Sequence, residues 1–457
     1  MSRHAFFGRA RRRPTFRLTL VIVLCVSATI YVWPKAQNSL LCDLFPDPGN
    51  IAIAVKTGAT EPEDKLLPIL RTSLSCAQNV MLLSDVEDAQ GRYPTHDVLS
   101  FFSPDIIEQN NEFELYRQIR SLKASGLDEE LDRLRNAPIP ESANLPPGKG
   151  AGWVLDKYKF LHLVDAAHHL KPDKQWYVFL EVDTYLSWPN LLRWLPSLDA
   201  NAALFLGNAI EKNADSGAPF FAQGGSGFVL SGDVVKGLAS QKLPSKWDSR
   251  AHKWNAGDFL FADFVHQELG LSVTNAWPAF NEHNTTGIAY TQSTWCDPVI
   301  TLHHVAGTAF DTLFGYEKHK RFSQFLRSDA FYTGFSTDFT FPTARQDWDN
   351  FSEAREHRVE LEDQPHAHAN VTTCQLACEA IDDCFQFLFR NTTMSTSDTG
   401  GMHECILSSA FRLGQPKPQQ PLGNVREPQV ARSWISGWNS RKIQDWMARQ
   451  EPCRKFE

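Results

Sequence analysis

The stretch that decides the fold is Trp176–Tyr185, WYVFLEVDTY. Five apolar residues run without a break from Trp176 to Leu180, and two acids, Glu181 and Asp183, follow at once. An apolar run of this kind reads as a strand buried on both faces, as in the middle of a parallel sheet. Acids at its end then sit at the C-terminal edge of the sheet, where open α/β folds bind ligands. In an extended segment residues two apart face the same way, so Glu181 and Asp183 are expected to point together. Two facing carboxylates repel unless a cation lies between them. A hard cation such as Mn²⁺ or Mg²⁺, bridging to a diphosphate, suits the pair. The competing reading is a solvated strand end that caps the next helix.

Toward the N-terminus, Asn50–Lys56 (NIAIAVK) is a second buried-type strand, ending at Thr57-Gly58. A helix around Lys65–Leu74 and a strand at Asn79–Leu83 complete a β-α-β opening, which predicts a nucleotide-binding α/β domain. Residues 100–150 read as an insertion. Its 104–135 part is polar and helix-prone, with Leu115, Ile119 and Leu122 on one face, and 138–148 is a Pro-rich break. Trp153–Leu170 has helical period. Toward the C-terminus come a helix near Leu191–Leu198, a strand at Ala203–Leu206, a glycine turn within FFAQGGSGFVLS (Phe220–Ser231) and a helix over 258–269. Residues 345–365 read as a charged linker, and a Cys-rich segment occupies 366–445.

Other side chains can join the two acids. His303 and His304 follow the apolar run Pro298–Leu302, and an imidazole is a reasonable third ligand for Mn²⁺. Asp258, after Gly257, opens a helix. It reads either as a helix cap or as a general base facing a substrate hydroxyl. Gly224, Gly225 and Gly227 allow the backbone to approach a ligand closely, or form a plain tight turn.

The 457 residues allow two or three domains, and 42% hydrophobic against 21% charged residues excludes general disorder. A net charge of −8 argues against a nucleic-acid partner, because phosphate binding needs a basic face. The charge is uneven. Residues 1–17 hold six arginines and no acid, and 18–33 (LTLVIVLCVSATIYVW) hold no charge. As a helix that run would span about 24 Å, enough for a thin membrane. The positive-inside rule then predicts a cytosolic tail (1–17), an anchor (18–33), a stem (34–49) and a lumenal body, with a cleaved signal peptide as the alternative. Four Asn-x-Ser/Thr sequons, at Asn284, Asn350, Asn370 and Asn391, agree with a secretory compartment. So do eight cysteines outside the anchor, an even number whose spacing gives no paired CxxC motifs for zinc. Cys42 and Cys76 would clamp the first β-α unit. Cys296 and Cys453 stay unassigned.

The ordered set WYVFLEVDTYLSWPNLLRWL, FAQGGSGFVLS, GDFLFADFVHQELGL and WCDPVITLHHV resembles the inverting β1,3-glycosyltransferases of family 31, over about residues 50–310. It is most similar to the core 1 β1,3-galactosyltransferase and Fringe branch, fungal type. The resemblance implies a GT-A fold (a Rossmann-like nucleotide-binding αβα sandwich, 50–345), a UDP-sugar donor, a glycan or glycoprotein acceptor, Mn²⁺ and Golgi residence as a type II membrane protein. It places Glu181 and Asp183 on the family's DxD motif, with Glu for the first acid, and His303 on the late metal-binding histidine. It places Asp258 on the catalytic base, with Gly257 replacing the preceding acid, and Gly224, Gly225 and Gly227 on the GGxG turn. Thr57 and Lys159 occupy positions that would line the donor pocket. The donor is expected to be UDP-galactose first and UDP-N-acetylglucosamine second. Some relatives instead act as non-catalytic chaperones or binding proteins.

Cys374-x3-Cys378-x5-Cys384, with Cys405, resembles a small disulfide-rich α+β PAN/apple domain (366–445). The resemblance implies that Cys374 pairs with Cys405 and Cys378 with Cys384. Such modules bind protein or carbohydrate. Trp434, Trp438 and Trp446 would stack on sugar or pack in a core.

Overall fold

The computed structural model describes residues 42–88, 94–135, 151–211, 219–335, 338–361, 365–393, 402–422 and 430–453. The expected tail, anchor and Pro-rich break lie outside them. Among the described residues no helix is long and apolar enough to cross a membrane.

The first module is built on a mixed sheet. Strands β1 (Ile51–Lys56), β2 (Val80–Ser84), β3 (Thr95–Asp97) and β4 (Trp176–Glu181) are joined by β5 (Tyr185–Leu186, in a smaller sheet), β6 (Phe205–Gly207), β7 (Phe228–Ser231) and β8 (Thr274–Asn275). The order across the large sheet is β8-β6-β7-β4-β1-β2-β3. β1 lies parallel to both β2 and β4, whereas β7 runs antiparallel between β4 and β6. Every residue of β1 is buried, as is all of β4 except Glu181 at its end, so the apolar runs reflect helices covering both faces. One face packs on α2 (Ala151–Leu170), and helix α1 (Glu63–Arg71) links β1 to β2. This parallel-rich mixed α/β arrangement fits a GT-A-like fold.

A second, three-stranded sheet matters more for the site. It runs β9 (Phe280–Asn281), β10 (Thr301–Leu302), β5. The expected strand at Pro298–Leu302 is thus only its last two residues.

The C-terminal module is a sheet of strands 345–346, 430–438, 386–393, 402–408 and 358–359, with 420–422 on strand 430–438. The helix Val371–Ala380 covers one face, stapled to strand Met402–Ser408 by Cys374–Cys405, and Cys378 pairs with Cys384. Residues 345–359 belong to the module's sheets rather than to a linker. Three short strands within them, Arg345–Gln346, Trp348–Asp349 and Arg358–Val359, pair into the module's sheets.

The two modules share one core. Phe411, Trp438, Ile443 and Trp446 are buried in the same cluster as Val178, Leu180 and Leu302. Trp295 packs edge-on against Trp446, with ring centroids 5.3 Å apart. Cys296–Cys453 ties the chain end to the first module, and Cys42–Cys76 clamps the stem to the end of the first β-α unit. Trp434, Trp438 and Trp446 are all buried, which resolves their role as packing.

Candidate active site

The site forms where the two sheets of the first module meet. β4 ends at Glu181, and the chain then turns: Thr184 N–H donates to the Glu181 carbonyl at 3.1 Å, and β5 begins at Tyr185. The turn interrupts the extended run between Glu181 and Asp183. β5 pairs antiparallel with β10, with Leu302 opposite Tyr185. Extending that register by two residues brings His304 opposite Asp183, and Val305 N–H donates to the Asp183 carbonyl at 2.9 Å.

The result is a three-residue cluster. His303 Nε2 lies 3.5 Å from Asp183 Oδ1, and His304 Nδ1 lies 3.6 Å from Asp183 Oδ2. The two imidazoles stack with centroids 3.7 Å apart. One ligand atom from each residue fits within 4.8 Å of the others, close enough to share one cation. Burial works to raise the Asp183 carboxyl, but the two histidines outweigh it and hold the group far below the usual carboxylate range. His304 reaches the cluster with φ of 56°, a left-handed conformation uncommon outside glycine. Two imidazoles and one carboxylate suit a transition-metal ion such as Mn²⁺ better than Mg²⁺ or Ca²⁺, which prefer all-oxygen shells. The residues therefore fit a divalent cation. His304 was only the neighbour of the expected ligand, and the His-His doublet was its one signal.

Glu181, expected as a ligand, is not in the cluster. Its Oε1 lies 3.4 Å from Lys56 Nζ, which also binds Asp156 at 2.8 Å. Lys56 is buried; desolvation opposes its charge, and Asp156 and Glu181 more than restore it. Lys159 is likewise paired within the protein. It is 2% exposed, 2.9 Å from Asp85 and 3.1 Å from Asp156, and it donates to the Thr57 carbonyl at 2.9 Å. Thr57 is itself buried. Together these groups tie the C-terminal ends of β1, β2 and β4 into one ion network.

The glycine turn stands between the cluster and Asp258. A Cβ on Gly225 would come within 1.9 Å of the His303 ring, so only glycine fits. Gly224 N–H donates to Asp258 Oδ2 at 3.2 Å, and Phe259 N–H to Oδ1 at 2.9 Å. Gly227 has φ of 77° and packs on the Phe179 carbonyl. Asp258 lies in the first turn of Gly257–Leu269 without capping it, because the cap position is Ala256. Burial, reinforced by the charge of Glu181, raises its carboxyl above the usual value, despite two backbone N–H donors. A raised carboxylate is a stronger base. Gly257 has its own reason: a Cβ there would strike Phe160 at 2.4 Å and the Lys157 Cα at 2.8 Å. Close packing of this helix on α2 excludes any larger residue.

No curated protein matches the chain. A family model described as Fringe-like matches residues 157–299, less than half of the chain. That segment contains Glu181, Asp183, Gly224, Gly225 and Asp258, and stops just short of His303. The match supports a Fringe-like glycosyltransferase, a family whose members generally use a divalent metal and act on glycans.

Proposed function

We propose that the chain is an inverting β1,3-glycosyltransferase that takes its sugar from UDP-galactose, or failing that UDP-N-acetylglucosamine, with Mn²⁺ at Asp183, His303 and His304. The observation that carries the reading is the placement of this cluster on one side of the Gly224–Gly225 turn and of Asp258 on the other. Asp183, His303 and His304 would hold a divalent cation, which when bound would offset charge developing on the diphosphate leaving group. Asp258 takes the proton from the acceptor hydroxyl as its oxygen attacks the anomeric carbon. The bond to the diphosphate oxygen breaks from the opposite face, so one displacement turns an α-linked donor into a β-glycoside. The acceptor is a glycan or glycoprotein. The protein sits in the Golgi membrane as a type II protein with the described body lumenal, and its C-terminal module is PAN/apple-like.

One observation favours the non-catalytic alternative, a lumenal chaperone or binding protein: Glu181 pairs with Lys56 and stands outside the Asp183, His303 and His304 group. The test is turnover. The protein with Mn²⁺ should release UDP slowly from one of the two donors, and NMR of the transferred sugar should show a β-linkage. Absence of release from either donor, with UDP still bound, would favour the alternative.

A further inference from the structure

The seam between the two modules runs beside the metal-ligand cluster. Just after β9 the chain carries Glu282 and His283. On the first module's side, Asn208 Nδ2 donates to Glu282 Oε2 at 2.7 Å, and the Asn208 carbonyl accepts from Gln223 N–H at 2.9 Å. Glu282 is thereby linked to the turn that touches Asp258. On the other side, His283 packs on Phe351 with centroids 4.4 Å apart, and Trp277 faces His357 at 5.8 Å. Both of those partners belong to the C-terminal module. The loop between is pinned by Gly414 N–H donating to the Thr286 carbonyl at 2.8 Å, and by the Tyr290–Phe411 backbone bridge.

The chemistry of this seam is that of a sugar site rather than a phosphate site. Glu282 and His283 side chains are 20% and 21% exposed, and Glu356 is 45% exposed. Burial, then the positive charge of Arg412, pushes the His283 imidazole down to about 3, so it is neutral. Burial and Arg412 push His357 to about 4. Carboxylates accept from sugar hydroxyls, neutral imidazoles donate or accept, and an indole face stacks on sugar C–H groups. A phosphate would need a free cation. Arg412, a cation of the seam, is only 1% exposed and so is out of a ligand's reach; its two Nη atoms donate to the Phe351 carbonyl at 3.0 Å and to Glu356 at 3.3 Å, and its buried Nε has no partner.

Given the transferase reading above, on which this rests, we propose that the seam is the acceptor subsite. A neutral sugar binds across Glu282 of the first module and Glu356 and His357 of the C-terminal module, with Trp277 as its stacking face. The C-terminal module is then part of the substrate site and not an appendage.

The test uses the full chain in detergent, saturated with Mn²⁺ and UDP, titrated with methyl glycosides (α-galactoside, α-N-acetylgalactosaminide, α-mannoside, β-N-acetylglucosaminide) and followed by saturation-transfer NMR. At least one should bind. Glu356→Gln and Trp277→Ala should each weaken it fivefold or more, while Mn²⁺-dependent UDP affinity stays within twofold and the melting temperature is held. Glu356→Gln keeps an oxygen that can accept from the Arg412 guanidinium, and Trp277→Ala leaves that pair untouched, so the melting curve separates a lost fold from a lost site. The proposal is overturned if no glycoside binds a protein that binds UDP, or if both variants bind like the wild type. Failure of the wild type to bind UDP at all would instead sink the transferase reading, and the acceptor role with it.

Discussion

A Cβ on Gly225 would stand 1.9 Å from the His303 Cε1 atom and 2.2 Å from Nε2, so the turn and the ligand fit only because residue 225 has no side chain. Gly225→Ala should displace His303 from Asp183 and weaken Mn²⁺-dependent UDP binding tenfold or more. Overpacking of this kind costs about 1–3 kcal/mol. The variant should still fold, and calorimetric titration beside a melting curve separates the two effects. Unchanged affinity would mean that His303 is not a ligand.

Asp258 is held by Gly224 and Phe259 N–H groups on the far side of that turn. Asp258→Asn should leave UDP affinity unchanged and lower transfer about 10²–10⁴-fold. Because burial raises its carboxyl, the wild-type rate should fall as pH drops through a value above the ordinary aspartate range. Full turnover in the asparagine variant would remove Asp258 from the chemistry.

Glu317 lies fully buried beneath β5, accepting from the Tyr185 and Ser187 hydroxyls. Burial raises its carboxyl to about 7, above the unfolded value of 4.5. A group raised in the folded state stabilises below its unfolded value and loses that contribution as pH rises through the folded one. Unfolding free energy should therefore decline between pH 4.5 and 7, by about 3 kcal/mol for this group, and the melting temperature with it. In Glu317→Gln that part of the profile should flatten, and a profile identical to wild type would show that Glu317 does not titrate there.

The four sequons are not equivalent. Asn350 is fully buried and its Nδ2 donates to the Phe387 and Gly437 carbonyls, leaving no amide for a glycan. Asn370 is exposed, and only its Oδ1 is used, capping the helix through Thr373 N–H at 3.0 Å. Secreted from a eukaryotic host, the protein should carry glycan at Asn370 and none at Asn350. Peptide mass spectrometry after glycosidase treatment reads both, and a modified Asn350 would contradict the packing.

Much of this was legible in sequence because it is local. Trp176–Leu180 is a buried run, and Cys374, Cys378, Cys384 and Cys405 pair as the PAN/apple resemblance implied. What the sequence hid is set by turns and by distant contacts. The strand ends at Glu181 and a turn follows, and Glu181 stands outside the group formed by Asp183, His303 and His304. His304 joins the cluster through the β5–β10 register, a pairing of residues over a hundred apart. Residues 345–365 look like a linker because their strands are two residues long and charged. They pair only with strands that come later in the chain. Cys296–Cys453 spans 157 residues, beyond the reach of any local pattern.

The most direct test of the central claim is calorimetric titration of the protein with UDP, alone and with Mn²⁺, Co²⁺ or Mg²⁺, beside Asp183→Ala and His304→Ala. The account predicts binding that requires a divalent ion, prefers Mn²⁺ or Co²⁺ to Mg²⁺, is lost in Asp183→Ala and is weakened at least tenfold in His304→Ala. UDP binding that ignores the metal, or survives unchanged in Asp183→Ala, would contradict it.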